Sequence, residues 1–358
     1  MPGEEQEGIP CPKCGKSIPQ WAPDGNCPAC LFGSPILPAA SEDDNGERVG
    51  EWILRESIGE GAFGIVHLVE QLDPVHRVGA MKILRPGLVT PAVLSRFESE
   101  CQALALLDHS NIVTIYEAGK TNDERPFLVM EFIDGVPVTE AASELNYAET
   151  IDLFDRICAA VAYAHQKGVI HRDLKPANIL VSNEHSGSLE FKLLDFGIAR
   201  ASGSSEFETT LLTSDGQFLG TPEYMSPEQA AGDPLDVRTD VFSLGVLLYE
   251  MLSGKTPHRV VDRSVEGLVQ FFHEVKQGRV APLPTNPGGR DLDAITGKAM
   301  HPDPSQRYGS VMELRDDLQR LRERKPVRAR RPDRLYLAAR FFSVIGNLFR
   351  RPASLQSF

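Results

Sequence analysis

Between Glu51 and about Gly135 the apolar positions fall in short runs bounded by Gly or Pro. This pattern predicts strands over Trp52–Ile58, Ile65–Glu70, Val78–Leu84, Val113–Glu117 and Phe127–Phe132. One segment breaks the series. From about Pro91 to Leu107, Leu94, Phe97, Cys101, Leu104 and Leu107 recur at spacings of three and four, the signature of an amphipathic helix. After Gly135 the period becomes helical, predicting helices over Ile151–Gln166, Asp240–Leu252, Val265–Gln277, Leu292–Met300 and Ser310–Arg322. Strands followed by helices imply an α+β enzyme in two lobes. No internal repeat is evident.

The ends differ from this body. Residues 1–33 carry a cysteine cluster, and 34–50 mix Pro, Gly, Ser and acids without periodicity, which reads as a linker. The body then spans 51–325, with lobes at 51–133 and 134–325, and a tail of basic and apolar residues occupies 326–358.

Composition narrows the class. A chain of 358 residues with 41% hydrophobic and 24% charged content is ordinary for a globular protein with a sizeable core. Its net charge of -13 argues against general nucleic-acid binding, which needs a basic footprint. The charge is uneven: 320–351 holds eleven basic and two acidic side chains, so that stretch is +9 and the remainder -22. Residues 1–10 are acidic and lack an apolar run, so nothing there resembles a secretory signal and the catalytic part is expected in the cytoplasm.

Candidate chemistry begins at Gly59, Glu60, Gly61, Ala62, Phe63, Gly64, Ile65, Val66, which join two predicted strands. Glycines let backbone N–H groups approach phosphates, and Val66 is short enough to lie against a base. A Gly-rich hairpin alone is weak evidence, because many turns look the same. Sixteen residues after Val66, however, Lys82 follows Gly79, Ala80 and Met81 in a strand. A lysine between apolar neighbours needs an anionic partner. Phosphates and a helix glutamate would serve, and Glu100 beside the apolar face of the predicted helix is the candidate, whereas Glu98 reads as a solvated charge.

The most informative string is Val169, Ile170, His171, Arg172, Asp173, Leu174, Lys175, Pro176, Ala177, Asn178, Ile179, Leu180. Leu194, Asp195, Phe196 and Gly197 follow, with Asp195 seventeen residues after Asn178. Together these motifs resemble the protein kinase family in its bacterial, Hanks-type serine/threonine branch, over about 52–325. The resemblance implies the two-lobed kinase fold, with ATP and Mg²⁺ (or Mn²⁺) as cofactors. It gives Asp173 the substrate hydroxyl and its proton, and Lys175 the charge on the moving phosphoryl group. Lys82, held by Glu100, would fix the α- and β-phosphates, while Asn178 and Asp195 would hold the metal. Val66 and Ala80 would meet the adenine. Val129 to Gly135 resembles the hinge, where Met130 guards the back pocket and the Glu131 carbonyl and Ile133 N–H face the base edge.

Gly220, Thr221, Pro222, Glu223, Tyr224, Met225, Ser226, Pro227, Glu228 resembles the end of an activation segment, with Ser-Pro-Glu where Ala-Pro-Glu is usual. Lys175 and Thr221 match kinases that act on serine and threonine, Thr221 lying in the substrate pocket. Asp240 and Arg307 resemble structural anchors, Arg307 pairing with Glu228. Arg172 beside the catalytic aspartate implies a regulatory phosphate on the activation segment, with Thr213 the expected acceptor and Thr209 and Thr210 the reserves. A Ser/Thr-rich loop without a specific role is the plainer alternative.

Two flanking features remain. Cys11 and Cys14, then twelve residues, then Cys27 and Cys30 have the spacing of a zinc ribbon, and so short a segment does not fold on apolar burial alone. A redox Cys-x-x-Cys would need a βαβ context that is missing. Cys101 and Cys158 sit in apolar helical patterns and read as core. The acidity of 1–50 favours a protein contact or a structural role over nucleic acid. Leu335–Phe349, about 22 Å as a helix, is too short for the ~30 Å hydrocarbon core. It is expected either to dock on the body or to lie on an anionic membrane surface. The expected partners are proteins bearing serine or threonine acceptors, with a homodimer left open. Two rival readings are a pseudokinase scaffold, whose usual losses of Lys, Asp or metal ligands are absent, and a nucleic-acid adaptor built on the ribbon.

Overall fold

The computed structural model describes residues 9–10, 17–18, 46–61, 64–85, 91–183, 189–196, 221–283, 289–331, 333 and 336. Within these, the side chains of 9, 10, 17, 18, 91–93, 95, 96, 99, 100 and 183 fall outside the description. The cysteines of the predicted ribbon, Ala62 and Phe63, Thr209, Thr210 and Thr213, and the tail from 337 onward also lie outside it.

The chain forms two units, 1–47 and 48–358. In the first, β1 (Ile9–Pro10) pairs antiparallel with β2 (Ser17–Ile18). The second opens with β3 (Arg48–Val49), β4 (Trp52–Glu60), β5 (Gly64–Gln71), β6 (Arg77–Leu84), α1 (Pro91–Ala105), β7 (Ile115–Lys120) and β8 (Pro126–Glu131). Its strands form an antiparallel sheet in the order β3-β4-β5-β6-β8-β7. Alternation sorts each strand between two faces. Met81, Ile83, Phe127 and Val129 join Trp52 and Val69 in an outer cluster. Ala80, Leu84, Leu128 and Met130 point the other way, into the main core with Phe97, Cys101 and Leu104 of α1.

Past Glu131 the chain runs irregularly to Gly135. A Cβ at Gly135 would stand 2.7 Å from the Val181 carbonyl oxygen, so only glycine admits the close crossing there. Next come β9 (Val136–Pro137), α2 (Val138–Ser143), α3 (Tyr147–Gln166), β10 (Ile179–Asn183) and β11 (Leu189–Leu193), the three strands pairing in the order β11-β10-β9. The second lobe continues with α4 (Pro227–Ala231), α5 (Val237–Ser253), α6 (Val265–Lys276), α7 (Arg290–Ala299) and α8 (Val311–Arg322). Helix α3 starts from a reciprocal cap between Asn146 and Glu149, and α5 begins at the Asp236 cap and ends at left-handed Gly254. Both supply fully buried residues: Phe154, Ile157 and Val161 from α3, Val241, Leu244 and Leu247 from α5.

The predicted strands and helices appear within a few residues of their expected bounds, with Ile115 rather than Val113 opening β7. The short strands β3 and β9–β11 and helices α2 and α4 are additions to the expected set. No helix among the described residues is long and apolar enough to cross a membrane.

Beyond α8 the chain turns back onto the lobe. Asp317, fully buried, accepts from Tyr308 Oη (2.8 Å), Arg328 N (2.6 Å) and Ala329 N (2.8 Å). Asp291, also buried, accepts from Arg330 Nη1 and Tyr336 Oη, each at 3.0 Å. Arg330 stacks over the Tyr336 ring at 4.1 Å.

Candidate active site

The cleft between the lobes is built from the inner face of the first sheet and the segments around β10 and β11. Cross-strand register places Val66 opposite Lys82 and Ala80 opposite Met130, so all four occupy one face. Gly59 pairs with Val66 at the edge of the Gly-rich turn. Gly61 N donates to the Gly64 carbonyl at 2.9 Å, and a Cβ on Gly64 would stand 2.2 Å from the Ile83 carbonyl oxygen. Any side chain at Gly64 would therefore push β5 away from β6. Arg85 ion-pairs with Glu60 at 2.5 Å across the same corner.

Lys82 Nζ lies 2.8 Å from Asp195 Oδ2, which supplies the anionic partner its strand position demands. The Glu100 side chain lies outside the described residues, so Asp195 is the carboxylate seen on Lys82. The second oxygen, Asp195 Oδ1, is buried and has no hydrogen-bond partner among the described residues. Asp195 also holds φ at 47°, in the left-handed region that a non-glycine residue occupies at a cost of about 1–3 kcal/mol. The ring of Phe196 rests 4.4 Å from that of buried His171, fixing the residue after Asp195 against the core.

Asp173 is ringed by donors. Lys175 Nζ reaches its Oδ2 at 2.8 Å, and Asn178 Nδ2 donates both to that oxygen (3.0 Å) and to the Asp173 carbonyl (2.7 Å). With Nδ2 engaged, the acceptor of the Asn178 amide is Oδ1. Leu194 N donates to the Asn178 carbonyl at 2.8 Å, setting the residue before Asp195 beside Asn178. Lys82 with Asp195, and Asp173 with Lys175 and Asn178, are thus brought together by the backbone bond between Leu194 and Asn178.

The loop that carries Asp173 is held from behind by Asp240 on α5. Its Oδ2 accepts from His171 N (2.8 Å) and contacts His165 Nε2 (2.7 Å), and its Oδ1 accepts from Arg172 N (2.8 Å). Burial alone would raise the Asp240 carboxyl pKa, but the His165 bond and the other partners outweigh it and hold the group below its ordinary value. Burial likewise depresses the pKa of His171. Arg172 itself adopts φ of 64°.

At the hinge, Glu131 Oε1 accepts from Thr114 N (2.7 Å) and Lys192 Nζ (2.6 Å), which ties the side chain away so that only its backbone is offered to the cleft. Met130 is buried, and Ile133 follows in the irregular crossing, half-buried. Thr221 opens the turn Pro222–Tyr224. The expected pair of Arg307 and Glu228 is present as a two-pronged contact at 2.6 and 2.8 Å, with Thr239 Oγ1 donating to Glu228 Oε1. Sequence reasoning missed His165, Lys192 and Gln229. Their partners lie far along the chain, and only Gln229, directly after Pro227 and Glu228, sits beside a motif that flagged the region.

Residues 52–317 match the protein kinase domain model. The serine/threonine-protein kinase PknB of Mycobacterium tuberculosis is 38% identical over 287 residues, which is 77% of this chain and 44% of that protein. Pkn1 of Myxococcus xanthus is 32% identical over 333 residues, 88% of this chain and 46% of the relative. The chain spans somewhat under half the length of the curated relatives it matches. Among solved structures, the kinase domain of Mycobacterium tuberculosis PknI is similar at a TM-score of 0.58 and 26% identity, covering 77% of this chain and 98% of that one. The chain belongs to the protein kinase family, in the branch of bacterial serine/threonine kinases.

Proposed function

We propose that this protein transfers the γ-phosphoryl group of ATP to serine or threonine hydroxyls of proteins. The observation that carries the reading is the meeting of two contact sets, Lys82 with Asp195 and Asp173 with Lys175 and Asn178, joined by the bond from Leu194 N to the Asn178 carbonyl. In this reading the bond between the γ-phosphorus and the bridging oxygen breaks, a new bond to the acceptor oxygen forms, and ADP departs. Asp173 orients the hydroxyl and accepts its proton, Lys175 offsets charge on the moving group, and Lys82 steadies the α- and β-phosphates. Backbone N–H groups around Gly59, Gly61 and Gly64 cover the phosphates. Val66, Ala80 and Met130 line the adenine side, with the Glu131 carbonyl and Ile133 N–H on its edge.

The residues fit a magnesium site. The unpartnered Asp195 Oδ1 and the Asn178 amide oxygen are two hard oxygen donors, the number Mg²⁺ usually takes from protein when phosphates and water complete its shell. Bound there, Mg²⁺ supplies charge neutralisation across the phosphate oxygens. Incubation with ATP labelled at the γ-position and a mixed protein substrate, followed by phosphoamino-acid analysis, tests the assignment. Label on phosphoserine or phosphothreonine is expected, and label confined to phosphotyrosine, or none, overturns it.

Three finer readings accompany it. Autophosphorylation at Thr213, with Thr209 and Thr210 as reserves, would place about -1.5 to -2 charge near Arg172. Cys11, Cys14, Cys27 and Cys30 are assigned a structural zinc ion, supported by their spacing and by the β1–β2 pair flanking the first two cysteines in sequence. Between the two readings of the tail, docking on the lobe is favoured over a membrane surface. Arg320 and Arg328 both pair with Asp316, at 3.0 and 3.1 Å, Arg322 with Asp152 at 3.3 Å and Arg330 with Asp291 at 3.0 Å. Those cations already have partners on the lobe.

A further inference from the structure

The peptide units around Arg172 are gripped from two sides. Arg172 adopts a left-handed conformation, uncommon for a side chain with a Cβ, and its carbonyl belongs to the same peptide unit as the Asp173 N–H. Asp240 takes the Arg172 N–H at 2.8 Å, and the opposite end, the Arg172 carbonyl, accepts from Gln229 Nε2 at 2.7 Å. Gln229 is the third residue of α4, the short helix that closes the activation segment. Its amide serves two elements at once. Oε1 accepts from Ser226 N at 3.1 Å, completing the reciprocal cap of α4, while Nε2 crosses to the catalytic loop.

We infer that Gln229 is a positioning residue for phosphoryl transfer: through the Arg172 carbonyl it fixes the peptide that carries Asp173, and it links that peptide to the segment bearing Thr221. The inference rests on the kinase reading above. Within the loop this peptide makes one bond, Asp173 N donating to His171 Nδ1 at 3.3 Å; its carbonyl end is held from outside the loop by Gln229, while Asp240 fixes the preceding peptide through the Arg172 N–H. Asp240 is rigidly buried in α5, whereas Gln229 belongs to the substrate-side segment. The peptide plane that leads into Asp173 is therefore set in part by whether that segment is in place. Among the described residues, the Gln229 side chain contacts Ser226 and Arg172 and none on the nucleotide side of the cleft, so the effect belongs to the transfer step rather than to ATP binding.

Three variants separate this role from a purely structural one. Gln229→Glu keeps an oxygen acceptor for the Ser226 N–H but loses the donor to Arg172. Gln229→Met removes both without adding charge. Ser226→Ala removes the hydroxyl that caps Gln229 N and leaves the Gln229 side chain intact. Single-turnover phosphoryl transfer, ATP affinity and melting temperature are measured for each beside the native chain. A slowing of about tenfold or more is expected for Gln229→Glu and Gln229→Met, with ATP affinity unchanged. Ser226→Ala is expected to transfer at close to the native rate despite a lowered melting temperature. As pH falls toward the range where a glutamic acid is protonated and can donate, the ratio of Gln229→Glu to native rates should rise. Native-like transfer by either Gln229 variant in an active native background, or an equal loss in Ser226→Ala, overturns the inference alone. An inactive native chain overturns the kinase reading, and this inference with it.

Discussion

Lys82 Nζ lies 2.8 Å from Asp195 Oδ2, so the strand lysine of the first lobe is joined directly to the carboxylate that follows β11 in the second. The side chains are 19% and 27% exposed, and a pair that accessible is worth only about 0–1 kcal/mol to stability. In the proposed function its weight falls on ATP. Lys82→Met and Asp195→Asn are therefore expected to melt within a few degrees of the native chain while transfer drops by about 10²–10³-fold or more. Parallel calorimetry and transfer assays check this, and a large loss of folding in either variant would show that the pair is structural.

Glu228 and Arg307 stand at the other extreme. The Arg307 side chain is fully buried, and breaking such a pair costs about 3–5 kcal/mol because one charge remains without its partner. Burial alone would raise the Glu228 pKa, but Arg307 outweighs it and holds the carboxyl below the ordinary value. A folded-state pKa below the unfolded one stabilises the protein above the ordinary glutamate value of about 4.3, and that stabilisation fades as pH falls through the folded value. Glu228→Gln should melt well below the native chain at pH 7, with the gap narrowing as both are acidified below about pH 4.5. Buried His171 titrates in both proteins and drops out of the difference. A gap independent of pH would contradict the assignment.

Much of this was legible in the sequence. Long strands with alternating faces, such as β6 and β8, and helices with an apolar stripe, such as α3 and α5, announce themselves through period. The two- to five-residue strands β9, β10 and β11 do not, because so few residues carry no readable period, and the pairing of β9 with β10 also rests on the chain crossing at Gly135. The side chains proposed for catalysis stand out in the sequence because their spacing is a motif. Their supports were not: His165 looks like a polar residue in the last turn of a helix, and Asp291 and Asp317 look like solvated helix charges. In the fold these two aspartates are buried, and their partners come from the segment after α8.

That segment yields a further expectation. Asp317→Ala would strip the acceptor from Tyr308, Arg328 and Ala329 together, and a loss of about 2–4 kcal/mol is expected. Truncation after Lys325 should give a comparable loss. Limited trypsin digestion would then cut the Asp317→Ala chain early near Arg328 and Arg330, while the native chain resists there. A truncated chain that melts like the native one would show that the segment merely rests on the lobe. Vesicle sedimentation provides the counter-test, since native binding to anionic vesicles that depends on 326–336 would favour the membrane surface instead.

The central claim is that Asp173 accepts the proton of a serine or threonine hydroxyl during transfer, and single-turnover transfer from γ-labelled ATP by the native chain and by Asp173→Asn tests it most directly. The native chain is expected to label serine or threonine. Asp173→Asn is expected to bind ATP with native affinity and to transfer about 10²–10⁴-fold more slowly. Transfer by Asp173→Asn at the native rate would contradict the account.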